Sequence, residues 1–217
     1  MIDQLHYISQ STENTSHLEA IEQVLQAGGK WIQLRVKDQP ETTVLELAKA
    51  ANELCKKFAA RLIINDFPEV SKAVSAYGLH LGLNDMSIAK ARLIAGNKIK
   101  IGGTANTFAD LQKRVAEGAD YIGLGPLRFT STKKNLSPVI GFEGYAKIME
   151  QVKKSGFTLP IIAIGGITEA DLPELLKTGL HGVAVSGILT GKTDAENRIK
   201  RMYSELQKHQ LSTTLNS

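Results

Sequence analysis

Gln33, Arg35 and Lys37 alternate with Ile32, Leu34 and Val36 in one short β-like run. Alternate residues of a strand face opposite sides, so one side of this run carries an amide and two cations. Unpaired buried charge is very costly. A bound anion would pair with such a face; the alternative is a half-exposed strand with that side in water. Asp66 and Asp85 each follow a separate apolar run. Mg²⁺ takes few protein carboxylates and keeps waters and phosphate oxygens, so two aspartates at one rim are enough to share such a cation. The alternative reading is a cap ahead of Phe67-Pro68 for Asp66 and a loop cap for Asp85. Gly165-Gly166 and Ser186-Gly187 follow two later apolar runs, where glycine lets a backbone approach an anion closely and a following helix adds a favourable dipole. Thr130-Ser131-Thr132-Lys133-Lys134 supplies hydroxyls and ammonium groups, good donors to phosphate oxygens. The chemistry these residue types share is the holding of phosphorylated small molecules, with a hard cation to help.

The elements that must position them alternate regularly. Eight β-like runs fall at residues 5–9, 31–37, 61–65, 78–81, 99–103, 121–124, 161–164 and 182–185. Amphipathic helical stretches lie between them, at 16–27, 42–58, 87–94, 108–117 and 142–153 among others. In the second of these, Val44, Leu47, Ala48, Ala51, Leu54, Cys55 and Phe58 fall three or four apart, giving one apolar stripe. Ala27-Gly28-Gly29, Glu117-Gly118-Ala119 and Thr178-Gly179-Leu180 place glycine between a helix and the next strand, as a C-cap should. Strands alternating with helices imply parallel βαβ units, and eight of them favour a closed (β/α)₈ TIM barrel over an open sheet. In such barrels the chemistry gathers at the C-terminal ends of the strands. Gln33, Arg35, Lys37, Asn65, Asp66, Asp85, Thr104, Gly165, Gly166 and Ser186 all close apolar runs at that end.

The chain has 217 residues, 42% hydrophobic and 22% charged, with a formal net charge of +4. That suits one globular domain with its own core, here residues 1–217 with 207–217 expected as a frayed polar end. Lysines and arginines are scattered rather than clustered, so no nucleic-acid footprint is present. Cys55 is the one cysteine; it excludes an internal disulfide and fits a reducing cytoplasmic setting. No run approaches the ~18 apolar residues of a membrane span, and the first residues do not have the pattern of a signal peptide. His80 reads as a satisfied core histidine rather than a ligand. The stretch 125–140 is long for a loop in a compact domain, which is usually functional.

Several motifs together resemble thiamine phosphate synthase. They are Gln33-Leu34-Arg35-Val36-Lys37, Ile64-Asn65-Asp66, Leu79-His80-Leu81-Gly82 with Asp85, Gly118-Ala119-Asp120-Tyr121-Ile122-Gly123-Leu124-Gly125-Pro126, Thr130-Ser131-Thr132-Lys133 and Ala163-Ile164-Gly165-Gly166-Ile167. They stand in the family's order and cover the chain from about Tyr7 to Leu189. The resemblance implies a Mg²⁺-dependent transferase that joins a hydroxymethylpyrimidine diphosphate to a thiazole phosphate and releases pyrophosphate. It implies that Gln33, Leu34, Arg35, Val36, Lys37, Asn65, Thr104 and Lys133 hold the pyrimidine diphosphate, with Arg35, Lys37 and Lys133 catalytic. It further implies that Asp66 and Asp85 hold Mg²⁺, and that Thr130, Ser131, Thr132, Gly166, Val185 and Ser186 hold the thiazole phosphate.

The chain departs from the family pattern in two places. Thr104-Ala105-Asn106 stands where a Ser-x-His is usual, keeping the hydroxyl and losing the imidazole. Arg128-Phe129 stands where an aromatic residue followed by proline is more common; the extra cation would either touch phosphate or be solvated. The alternatives to the synthase are a thiazole tautomerase of the same superfamily and a non-catalytic binder of thiamine phosphates. Retention of Asp66, Asp85, Arg35 and Lys133 argues against the tautomerase, which needs neither diphosphate nor metal.

Overall fold

The computed structural model describes residues 1–129 and 138–215, with side chains through residue 209. Eight parallel strands close into a barrel in chain order: β1 (Leu5–Ile8), β2 (Trp31–Leu34), β3 (Arg61–Asn65), β4 (Gly78–Leu81), β5 (Lys100–Ala105), β6 (Tyr121–Leu124), β7 (Ile161–Ala163) and β8 (Gly182–Val185). Closure is made by β8 beside β1, with His6 opposite Ala184. The helices are α1 (His17–Gln26), α2 (Glu41–Lys57), α3 (Pro68–Ala73), α4 (Ile88–Ala95), α5 (Phe108–Ala116), α6 (Gly141–Ser155), α7 (Leu172–Lys177) and α8 (Ala195–Leu215). This is a single (β/α)₈ barrel, the fold class expected from the alternation. No helix among the described residues is long and apolar enough to cross a membrane.

Local chemistry explains the helix starts. Ser16 accepts from the Glu19 backbone N–H while the Glu19 carboxylate accepts from that of Ser16, and Thr107 and Asp110 repeat the exchange at α5. Such reciprocal caps contribute roughly 1 kcal/mol each. Behind the caps, α1 buries Ala20, Ile21, Val24 and Leu25, and α2 buries Val44, Ala48, Ala51 and Cys55. Both stripes face the outside of the barrel.

Period-two alternation sorts strand residues between the outer helix layer and the barrel interior, with Leu79, Leu81 and Ile101 packing outward in a cluster of their own. Leu5, Tyr7, Ile32, Leu34, Leu62, Ile64 and Val183 join the layer between strands and helices. Trp31, Ile63, Tyr121, Ile162, Ile164 and Ala184 fill the lower barrel interior. His6 lies among them, stacked on Trp31 with ring centroids 4.5 Å apart and edge-on to Tyr121 at 5.5 Å. The fit is tight: a Cβ on Gly102 would come within 2.1 Å of the Tyr121 ring.

The largest shift of an expected strand boundary is at β2. Strand β2 ends at Leu34 rather than residue 37, because the Arg35 N–H leaves the ladder to donate to Ser9 Oγ at 3.1 Å. The alternation nonetheless continues beyond it, since Val36 stays buried in the helix layer. At the other end, α8 runs from Ala195 to Leu215. Nothing between Gln207 and Leu215 is glycine or proline, so no residue breaks the helix that Ile199, Met202 and Leu206 anchor.

Burial makes His6 a pH liability. Desolvation, offset in part by its hydrogen bond with the Asp3 carbonyl, pulls its pKa down to about 3. The unfolded chain takes up a proton near pH 6.5 while the folded chain stays neutral, so stability falls as pH drops from 6.5 toward 3. The slope contributed is up to about 1.4 kcal/mol per pH unit. We expect His6→Gln to flatten the acid side of a melting-temperature profile by one proton's worth. An unchanged slope would show that His6 is not the group responsible.

Candidate active site

A cavity of about 940 Å³ opens at the C-terminal end of the barrel. Its floor is set by the inward side chains of β2 to β5. Gln33 donates from Nε2 to Asn65 Oδ1 at 2.8 Å, which leaves the Gln33 carbonyl oxygen and the Asn65 NH₂ group to face a ligand. Beside them His80 bonds on both ring nitrogens, Nδ1 to the Tyr121 hydroxyl at 3.2 Å and Nε2 to Thr104 Oγ1 at 3.1 Å. Burial raises the Tyr121 pKa far above its ordinary value and keeps the phenol neutral. The Thr104 hydroxyl is therefore anchored on one side by His80 and lines the cavity with the other.

The rim carries the charges. Arg35, Lys37, Asp66 and Asp85 all line the cavity. Lys37 Nζ forms an ion pair with Asp66 Oδ2. Asp85 Oδ2 accepts from the Gly82 N–H at 2.6 Å, so the loop-cap reading of Asp85 holds alongside its position at the rim. Asp66 does not cap α3: the residue at that position is Phe67, without a side-chain cap. Instead Asp66 stands at φ +72°, a conformation in which aspartate and asparagine are enriched.

The two carboxyls share a hydrogen bond and titrate as a pair. Burial, followed by the Asp85 neighbour, pushes the Asp66 pKa up to about 6. Burial works against Asp85 too, but its bonds with Asp66 and Gly82 outweigh that and hold it below the usual range. Arg35 pays for burial with a lowered pKa, offset by Asp66, Asp38 and Asp85. Among the described residues no group of three or more His, Cys, Asp or Glu converges on a metal position. Two crowded carboxylates are nonetheless a fitting donor set for Mg²⁺, whose charge would relieve their repulsion and whose other positions go to water and phosphate.

Across the cavity, Gly165 and Gly166 adopt φ +88° and +71°, and Val185 and Ser186 complete that side. The Ser186 hydroxyl donates to the Ile8 carbonyl at 2.6 Å, which closes β8 against β1. Leu34 and Val36 turn their side chains away from the cavity, which leaves only their backbone to meet a substrate. Their side chains are buried in the helix layer, the consequence of being out of phase with Gln33 and Arg35, and they do not line the cavity. Thr130, Ser131, Thr132 and Lys133 lie outside the described residues.

Several residues at the site escaped sequence reading. His80 is a satisfied core histidine, as expected, yet it also lines the cavity; counting inward positions across β3 and β4 would have found it, since it pairs in register with Asn65. Asn106, in the place of the usual histidine, donates from Nδ2 to the carbonyls of Gly125 at 3.0 Å and Pro138 at 2.8 Å. It thereby joins the two ends of the 125–140 stretch. Arg114, only 2% exposed, reaches from α5 to the Gly82 carbonyl at 2.6 Å and the Thr104 carbonyl at 3.3 Å. Arg128 lines the cavity with its side chain 42% exposed, and it is not a free cation, for it is bound to Asp171 by two bonds of 2.6 and 2.7 Å.

Comparison with known proteins agrees with this geometry. The family model for thiamine monophosphate synthase matches residues 5–189. A thiamine-phosphate synthase from Bacteroides fragilis is 46% identical over 198 residues, 91% of this chain and 97% of that protein. One from Flavobacterium johnsoniae is 45% identical over 95% of this chain and 97% of its own length. Among solved structures, thiamine phosphate pyrophosphorylase from Pyrococcus furiosus superposes with a TM-score of 0.79 at 30% identity, covering 95% of this chain and 96% of the other.

Proposed function

The chain belongs to the thiamine monophosphate synthase family and is a transferase, and from that premise we propose that it joins 4-amino-2-methyl-5-hydroxymethylpyrimidine diphosphate to hydroxyethylthiazole phosphate, giving thiamine phosphate and pyrophosphate. One observation carries the reading: a rim bearing Arg35, Lys37, Asp66 and Asp85 faces the Gly165–Gly166 turn across a single cavity. A diphosphate that must leave and a phosphate that must stay need two such separate places.

The reaction breaks the bond between the pyrimidine methylene carbon and the diphosphate oxygen, and the electron pair departs with the oxygen. Positive charge develops on the methylene carbon, stabilised by the aminopyrimidine ring. The thiazole nitrogen then donates its lone pair to that carbon and becomes the thiazolium nitrogen. Asp66 and Asp85 would hold Mg²⁺, which when bound supplies charge neutralisation to the leaving diphosphate. Arg35, Lys37 and, by resemblance, Lys133 donate charge-assisted hydrogen bonds to the same oxygens; such donors strengthen as the leaving group gains charge. Gln33, Asn65 and Thr104 orient the pyrimidine above the His80–Tyr121 floor. The other anion, held at Gly166 and Ser186 and by Thr130, Ser131 and Thr132, keeps the nucleophile in line, which is a large part of any such acceleration.

The test is incubation with both substrates, with and without Mg²⁺, while pyrophosphate is followed. Pyrophosphate release that needs both substrates and the metal supports the reading. Binding of thiamine phosphate without turnover would reduce the chain to a binder, and metal-independent isomerisation of the thiazole alone would make it a tautomerase.

A further inference from the structure

The Gly165–Gly166 turn lies hard against the start of the β6–α6 connection. A Cβ on Gly165 would come within 2.4 Å of Pro126 Cβ, and one on Gly166 within 2.5 Å of Arg128 Cγ. Every carbonyl of the turn is claimed from that side. Gly165 O accepts from the N–H groups of Leu127 at 3.1 Å and Arg128 at 3.2 Å. Gly166 O accepts from Arg128 Nη1 at 2.5 Å. In a trans peptide the C=O of one residue and the N–H of the next point in opposite directions. Drawing the Gly165 and Gly166 carbonyls toward Arg128 therefore turns the N–H groups of Gly166 and Ile167 the other way. Neither N–H has an acceptor among the described residues, and both residues line the cavity. The Thr168 N–H is not available in the same way, since it donates to Asp171 Oδ2 at 2.7 Å.

Arg128 is itself held in place. Its two terminal nitrogens meet both oxygens of Asp171, whose side chain is 8% exposed. The same carboxylate binds the Thr168 hydroxyl at 2.8 Å, which ties it to the end of the turn. Paired in this way, the guanidinium offers an approaching anion little net charge. It acts on the backbone instead, and only a planar fork can bind Asp171 twice and still reach Gly166 O.

We propose that the Arg128–Asp171 pair is a clamp that aims the N–H groups of Gly166 and Ile167 into the cavity, making Arg128 a positioning residue for the phosphate of the second substrate and not its ligand. The identity of that substrate rests on the synthase reading above; the clamp itself does not.

Two measurements separate them. The first needs no turnover: ¹⁵N-labelled protein is titrated with inorganic phosphate while the Gly166 and Ile167 amide signals are followed. Both should respond in the unaltered protein, and Arg128→Ala should weaken phosphate affinity at those amides about ten-fold, misaimed donors being costly even at sub-ångström displacements. Amides that ignore phosphate, or that respond with equal affinity in Arg128→Ala, overturn the clamp. The second is steady-state kinetics. In Arg128→Ala and in Asp171→Asn, KM for the thiazole phosphate should rise about ten-fold while KM for the pyrimidine diphosphate and the Mg²⁺ requirement move less than about two-fold. Arg128→Lys should fall between. The double variant should be no worse than the worse single, as expected for one coupled unit. Equal rises in both KM values, or multiplying effects in the double variant, would overturn the proposal. If the unaltered protein makes no thiamine phosphate, the synthase reading falls and the phosphate titration still decides the clamp.

Discussion

Asp66→Asn is expected to lower magnesium-dependent kcat/KM by about 10³, some 4 kcal/mol of transition-state stabilisation, with a melting temperature unchanged or higher at neutral pH. The loss follows from chemistry: of two carboxylates able to hold the cation, one becomes a neutral amide, and the diphosphate must leave with less of its charge met. The absence of a stability penalty follows from linkage. The folded-state pKa of Asp66 lies at about 6, above its ordinary 3.8, because burial and Asp85 both oppose its charge. A carboxyl raised in this way favours the fold below pH 3.8, and that advantage is lost as pH rises through about 6. At neutral pH the ionised group is a burden, and asparagine imitates the protonated form. Asparagine also tolerates φ +72°, where alanine would add backbone strain. Lys37 loses its partner, but its side chain is 44% exposed and water can replace the carboxylate. Calorimetric titration with Mg²⁺ should show the weakened site without reference to turnover. Parallel losses of melting temperature and activity would mean that Asp66 is structural.

The barrel was legible because every β-like run was apolar first and polar or glycine last, and because helical stripes separated all eight. What could not be read were features that depend on which strands become neighbours. Gln33, Arg35 and Lys37 were found through their own alternation, and Val36 then falls on the opposite side, in the helix layer. The same periodicity removes Leu34 and Val36 as side-chain contacts, an implication that the family motif, read as a contiguous string, had obscured. His80 illustrates the complementary problem. As a lone histidine in a strand it reads only as a satisfied core residue, and the β3–β4 register is what places it beside Asn65.

The least legible residues act across loops. Arg128 stands two residues after a proline in a stretch with no periodicity, and its partner Asp171 lies 43 positions along the chain. Arg114 reads as one more surface cation on α5, yet it is buried against two strand-end carbonyls. Asn106 looked like the loss of a functional histidine, and what it does instead is bond two carbonyls, one of them 32 residues away. In each case the long-range partner is a backbone carbonyl or a single carboxylate. Neither leaves a mark in local composition, so no window of sequence could announce the pairing.

Arg35→Met should cost as much as the loss of Asp66, about 10³ in kcat/KM for the pyrimidine diphosphate, because the donor lost is one whose bonds strengthen as the leaving group gains charge. KM for the thiazole phosphate should hardly move, since the Gly165–Gly166 turn lies across the cavity. Methionine preserves the apolar stem that packs at the rim, and it removes a guanidinium whose burial already lowers its pKa, so melting temperature should stay close to that of the unaltered protein. Arg35→Lys should recover part of the activity as a point charge without the bidentate fork. A second consequence separates this variant from a simple loss of binding. Arg35 stabilises the ionised forms of Asp66, Asp38 and Asp85 from the same rim. Without it the Asp66 carboxyl should titrate above its present value of about 6. Protonated carboxyls do not hold Mg²⁺, so the acid limb of the activity profile should move to higher pH in Arg35→Met. A variant that loses rate with its acid limb in the original place would mean that Arg35 touches the substrate without facing the carboxylates, and the shared rim on which the proposed chemistry depends would have to be abandoned.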